Sequence, residues 1–343
     1  MKLRTLPVLL TALAGGLALT ALPGQGQAAE PGGRPAAAAP LAGLKVLIAN
    51  DDSAQGRDTR YGTDGRGLYT LRSALCAAGA DVVVVAPWSQ QSGAGGRMTP
   101  PGSAPVAITV QKVTAPAAYA GDCAAAPSGG PVYGVCVGAA PCTSTSPSAS
   151  PADAVMIGLD RVVPDHYWSE GPDVVLSGIN FGQNVGTLIN HSGTVGAAIT
   201  AHEHGVATLA LSAEVSFADL AATQFVPAAD FTVDLLGRLV RRDLLTPDLA
   251  LNVNVPFLED PGTPLRPALT AAGTSADIDN SYTGAVGIDG GTYRLVVGPA
   301  TPETRRDADT DALKANRVSV TPLDGDYTAG GRASRVNQVL AGW

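Results

Sequence analysis

Charge is scarce in this 343-residue chain: Asp, Glu, Lys and Arg together make up 15% of it, and aromatic residues 5%. The formal net charge is −8, which disfavours a surface built to grip long polyanions and so argues against a nucleic-acid polymer as partner. Small phosphate esters stay open, because a bound metal can supply positive charge locally. The sequence contains no P-loop, zinc-finger spacing, HExxH or GxSxG, and several large enzyme classes drop out with them. Cysteine is limited to Cys76, Cys123, Cys136 and Cys142, with no CxxC pair and no His neighbour. Disulfides are therefore expected over a structural metal, with all three connectivities open. What is abundant is apolar: 45% of the residues are hydrophobic, enough to bury a sizeable core. The 41 Gly and 26 Pro predict many tight turns.

The N-terminus reads as an address. Lys2 and Arg4 precede an apolar run from about Leu6 to Leu22, followed by small residues through Ala29. That is the pattern of a cleaved secretory signal, 1–28, with the cut expected after Ala28. The competing reading, an uncleaved anchor, is disfavoured by a short run that contains Gly15 and Gly16. No later stretch reaches about 18 continuous apolar residues, so no membrane attachment is expected after cleavage. A secreted protein, extracellular or periplasmic, is the expectation. Residues 29–43 are Ala/Pro/Gly-rich and read as a flexible segment.

From Leu44 the pattern becomes that of an α/β domain over 44–325. LKVLIAN (44–50) and DVVVVAP (81–87) are buried-strand runs without polar alternation, and 65–78 carries helical spacing between them, which makes one βαβ unit. The stretch 100–151 reads as looser, with a surface insertion at about 134–149. PDVVLSGIN (172–180), 206–211 and 249–255 are further strands. Helices are expected at 192–204, with Ser192 as N-cap, and at 228–242. GTYRLVVG (291–298) reads as one strand of a C-terminal hairpin, RVSVTPL (317–323) as another strand, and 326–343 as a tail. The fold class expected is a Rossmann-like, mainly parallel sheet flanked by helices.

In such sheets ligands bind outside the carboxyl ends of the strands. Those ends deliver Asn50, Asp51 and Asp52, then a loop with Ser92, then Asn180, Gly182 and Asn184. An isolated Asp-Asp is by itself an ordinary turn. Here, however, the other strand ends add a hydroxyl and an amide, and two adjacent carboxylates repel unless a cation joins them. That all-oxygen set suits one hard divalent cation per subunit, Mg²⁺, Mn²⁺ or Ca²⁺, and not zinc. Ser192, Gly193 and Thr194 open a helix, whose free N–H groups form a natural anion site. Together these point to a phosphate ester held between metal and helix end.

These residues also carry a resemblance. NDD at 50–52, VVAPxxxQSG at 84–93, PDVVLSGINxGxN at 172–184, SGTVGAA at 192–198, LNVNVP at 251–256 and VSVTPL at 318–323 resemble the blocks of the SurE family, in order. SPADAV at 150–155 and Thr310-Asp311 add to them. The resemblance implies a metal-dependent phosphatase acting on nucleoside 5′- or 3′-monophosphates. It implies Asp51, Asp52, Ser92 and Asn180 as metal ligands, Asn50 as a pocket residue that is catalytic together with Asp51 and Asp52, and Gly182 and Asn184 as pocket residues that bind the substrate or its phosphate. Ser192, Gly193 and Thr194 match the family's phosphate-contacting turn, and a homodimer or homotetramer is implied by its C-terminal hairpin exchange. Either Asp51 or Asp52 could double as base. Ser53 stands where the family usually has Gly, and His191, a candidate proton donor, where it has Tyr. Rival readings are a secreted acid phosphatase or exopolyphosphatase of the same fold, or an inactive metal-binding protein. Gly93–Gly96 is not GxGxxG, so a dinucleotide binder is the weakest reading.

Overall fold

Val46 and Ile48 pack into one hydrophobic layer and Leu47 and Ala49 into another, and all four are buried. That explains the missing polar alternation: β1 (Lys45–Ala49) is covered on both faces. The same split recurs in β2 (Asp81–Pro87), where Val82 and Val84 face one layer and Val83 and Val85 the other. α1 (Arg66–Ala77) joins the two strands as expected. The computed structural model describes residues 39–55, 65–260, 262–276, 278–284 and 287–326. The expected signal peptide, most of the segment 29–43 and the tail from 327 lie outside them. Within 39–43, Leu41 is buried and its N–H donates to the Ala78 carbonyl, so the folded body begins slightly before Leu44.

The remaining elements, in chain order, begin with β3 (Ile108–Val113), β4 (Val132–Val137), α2 (Pro151–Ile157) and α3 (Val163–His166). Then follow β5 (Val174–Phe181), α4 (Gly193–Glu203), β6 (Thr208–Ala213), α5 (Phe225–Val240) and β7 (Ala250–Val255). Last come β8 (Pro267–Leu269), β9 (Asp279–Thr283), β10 (Arg294–Gly298), α6 (Asp309–Lys314) and β11 (Val318–Pro322). The main sheet runs β3-β4-β2-β1-β5-β6-β7-β11-β8. Its six central strands, β4 through β7, are mutually parallel. β3 and β11 add antiparallel partners on either side of that block. β9 and β10 pair as the separate hairpin expected near the C-terminus. α1 and α5 cover one face, α2 and α4 the other. The result is a Rossmann-like α/β fold. From β1 the chain builds outward to β2, then returns to β5 on the other side, so the topological switch point lies between β1 and β5.

The stretch read as looser, 100–151, holds two sheet strands. β4 spans 132–137, so the first residues of the expected insertion belong to the sheet. Gly134 and the Gly-Gly-Pro before the strand weaken its pattern; Gly134 leaves room for the Trp88 ring. The low-complexity segment after it is laced back onto the fold. Cys136 bonds to Cys142, Trp88 Nε1 donates to the Thr143 carbonyl at 2.7 Å, and Ala149 N–H donates to Val135. Cys76, on α1, bonds to Cys123, so of the three open connectivities the structure has 76–123 and 136–142. In the chain-entropy view, closing the longer loop stabilises by roughly 4 kcal/mol and the shorter by about 2.

Candidate metal and phosphate site

The switch point gathers the residues singled out from the strand ends. Asp51 and Asp52 lie just past the end of β1, after Asn50, and both are buried. Asn50 fixes them from within: its Oδ1 accepts from Asp51 N–H at 2.8 Å, and its Nδ2 donates to Asp52 Oδ2 at 3.3 Å and to the Ile179 carbonyl. Fully buried itself, Asn50 positions the carboxylates and is not among the residues that line the cleft. Phe181 N–H adds a 3.1 Å bond to Asp52 Oδ2, which ties the β1 end to the β5 end.

β5 reaches the site through an irregularity. Its register against β6 shifts between Ser177 and Asn180, re-aiming the strand end. Gly178 sits in that shift at φ +140°, where a Cβ would collide with the Leu211 carbonyl oxygen. The re-aimed Asn180 donates from Nδ2 to the Gly182 carbonyl at 2.7 Å. Its Oδ1 is buried and has no hydrogen-bond partner among the described residues. A buried orphan acceptor is costly unless something accepts its lone pairs, and a cation would.

The third wall is the start of α4. Ser192 caps it, its Oγ accepting from Val195 N–H at 3.1 Å. Thr194, expected to face a phosphate, is fully buried and spends both donors on Asp51: its hydroxyl reaches Oδ1 at 2.9 Å and its N–H reaches Oδ2 at 3.2 Å. Gly193 lies against the same side chain; a Cβ there would stand 2.8 Å from Asp51 Cβ. These two residues act on the site through the carboxylate. Ser192 and His191 line the cleft itself, His191 exposed and Ser192 buried. Burial pushes the Asp51 carboxyl above its ordinary range, against the pull of the Thr194 hydrogen bonds. A carboxylate in that condition gains from a neighbouring positive charge.

Asp51, Asp52, Ser92 and Asn180 thus line one cleft of about 720 Å³, together with Gly182, Asn184, His191 and Ser192. Among the described residues no Arg or Lys lines it. Ser92 stands on an exposed loop and takes a 2.6 Å bond from Gln90 Nε2, while Gln91 N–H holds the loop to the Asp51 carbonyl. Two carboxylates, an orphan amide oxygen and a hydroxyl fit a hard divalent cation. A second cleft of about 760 Å³ shares Ser192 but holds neither strand-end carboxylate, so the chemistry belongs to the first. Ser53 is buried and bonds the Trp88 carbonyl at 3.0 Å, which removes it from contact with a ligand.

Other residues support the site without having been singled out. Asn252 and Asn254, both fully buried on β7, donate to the Asn184 carbonyl, and Asn254 Oδ1 accepts from Asn184 N–H at 2.7 Å. Asn184 Nδ2 in turn bonds Ser212 Oγ. The signal was present as two amides alternating inside an apolar strand. Asp309, buried on α6, accepts from Gly186 N–H at 3.0 Å and so anchors the turn that leads to His191. Nothing in the local sequence around Asp309 marks that role.

Comparison with known proteins agrees in both sequence and shape. The profile of the family described as Survival protein SurE matches residues 46–276. The chain is 31% identical over 294 residues to a protein of Synechococcus elongatus named 5′-nucleotidase SurE, covering 83% of this chain and 95% of that one. A protein of the same name from Desulforudis audaxviator is 30% identical over 288 residues, covering 83% and 93%. The crystal structure of the SurE protein from Aquifex aeolicus superposes with a TM-score of 0.60 at 25% identity, over 86% of this chain and 99% of that one.

Proposed function

The chain belongs to the SurE family, and from that premise we propose that it is a phosphomonoesterase that hydrolyses nucleoside 5′- or 3′-monophosphates to nucleoside and phosphate. The observation that carries this reading is the Asn180 oxygen, buried without a partner beside two strand-end carboxylates in a cleft that no described Arg or Lys lines. Asp51, Asp52, Ser92 and Asn180 would hold one Mg²⁺, Mn²⁺ or Ca²⁺. When bound, such a cation supplies Lewis-acid polarisation of a phosphoryl oxygen and offsets the charge of the ester.

The chain's own groups do the rest. Asn50 and Thr194 hold the two carboxylates in place. The Ser192 end of α4 contributes the positive end of a helix toward the phosphate side of the cleft. Hydrolysis puts the hydroxyl of water on phosphorus and a proton on the leaving oxygen. His191, on the cleft lining, is the imidazole able to hand over that proton. The four donors are all present, which favours an active enzyme over a binding protein. Phosphate release should be measured on 5′- and 3′-nucleotides, glycerol phosphate and polyphosphate. Nucleotides should be the best substrates, and release confined to polyphosphate would overturn the reading.

Export is part of the same proposal, supported by the signal-like N-terminus and by two disulfides with no free cysteine among the described residues. No helix among the described residues is long and apolar enough to cross a membrane. Secreted material should begin at Ala29 and show no alkylatable thiol before reduction. A mass corresponding to a Met1 start with four labelled cysteines would contradict export. Exposed Tyr282, Ile288, Tyr293 and Leu295 around the hairpin support assembly into a homodimer or homotetramer.

A further inference from the structure

The cleft has a second chemistry that the metal donors leave unused. Val215 and Leu220 line it from the loop after β6, and so does Phe217, which is 63% exposed. Ile278 and Val297 line it from the hairpin, Val297 with 69% of its surface exposed. Asn280 lies directly opposite Val297 across the β9–β10 pairing and also lines the cleft. Large apolar side chains left exposed on a concave wall mark a binding surface. A phosphate group gains nothing from them.

The geometry points to a nucleobase subsite formed by Phe217, Val297 and Ile278, with the Asn280 amide available to the base edge. This inference rests on the proposed phosphomonoesterase reading and specifies what lies on the far side of the phosphate. An aromatic ring gives a base a face to stack on, whichever base it is. The Asn280 side chain offers both a donor and an acceptor, as base edges do. A cleft of about 720 Å³ falls within the range that encloses a small organic ligand, so phosphate and base can be held together. Polyphosphate and glycerol phosphate offer no apolar face to this wall. The loop follows β6 at its carboxyl end, where α/β sheets place ligand contacts.

The test is equilibrium binding without turnover. Adenosine 5′-phosphonate and the base-free ribose 5-phosphonate are titrated against wild-type protein, Phe217→Ala and Phe217→Tyr at fixed Mg²⁺. Wild type should prefer the adenosine compound. Phe217→Ala should cut that preference about tenfold, the loss expected when a stacking ring is removed, and Phe217→Tyr should restore most of it. Phe217 is a surface loop residue, so neither change threatens the core. A preference cut less than threefold by Phe217→Ala would overturn the subsite. Because no bond breaks in these titrations, the result is independent of phosphate release, whose absence would count against the proposed reaction alone.

Discussion

Asp52→Asn should fold as wild type does and release phosphate from a nucleoside monophosphate about 10² times more slowly, or slower still. The amide retains a carbonyl oxygen to accept from Phe181 N–H and Asn50 Nδ2, so those two hydrogen bonds need not break. What goes is one of the two negative charges in a cleft whose remaining donors, Asn180 and Ser92, are neutral. Lewis-acid stabilisation of a phosphoryl transition state is worth several kcal/mol, and each ~1.4 kcal/mol is a factor of ten. Steady-state phosphate release, with circular dichroism and a melting curve as folding controls, reads the effect. A variant that keeps its rate would remove Asp52 from the site.

Gly193→Ala should be nearly as damaging for a different reason. The new methyl would stand 2.8 Å from Asp51 Cβ, 2.9 Å from Asp51 Oδ2 and 3.1 Å from Pro151 Cγ. Pro151 is buried at the first turn of α2, and the Asp51 backbone is held by Gln91 N–H, so neither yields readily. The displacement falls on the Asp51 carboxylate or on the Ser192–Thr194 turn. A shift of order 1 Å at groups that position reactants costs about 10² in rate. We expect kcat/KM to drop by about that factor, with weaker metal binding alongside. Retention of kcat/KM within threefold would mean that the turn and Asp51 are not packed as described.

Much of this was legible in the sequence because its physical causes are local. LKVLIAN and DVVVVAP lack polar alternation since both faces of β1 and β2 are buried, and with the helical spacing between them that identifies central parallel strands. Their carboxyl ends then localise the donors, and Asp51, Asp52, Ser92 and Asn180 do share one cleft. Ser192 reads as a cap and is one. Other features depend on distant partners that no window contains. β4 hides behind Gly134, which is small to admit the Trp88 ring from the residue just past the end of β2. The inward role of Thr194 follows from Asp51 lying 143 residues away. Phe217 sits in a turn-rich loop that reads as a connection, and only the fold brings the C-terminal hairpin to the same wall. Disulfide pairing was open for the same reason: helix α1 carries Cys76 to Cys123 across a separation of 47 residues.

The most direct test of a cation-dependent phosphomonoesterase is phosphate release from a nucleoside 5′-monophosphate by the purified mature protein. It is measured as isolated, after exhaustive chelation, and during stepwise return of Mg²⁺, Mn²⁺ or Ca²⁺. With Asp51 and Asp52 facing a cleft that no described Arg or Lys lines, release should fall by at least about 10² on chelation. It should recover on return of at least one of these ions, with Asn180→Ala needing a higher ion concentration than wild type. Full activity in excess chelator would contradict the assignment of these residues to a metal.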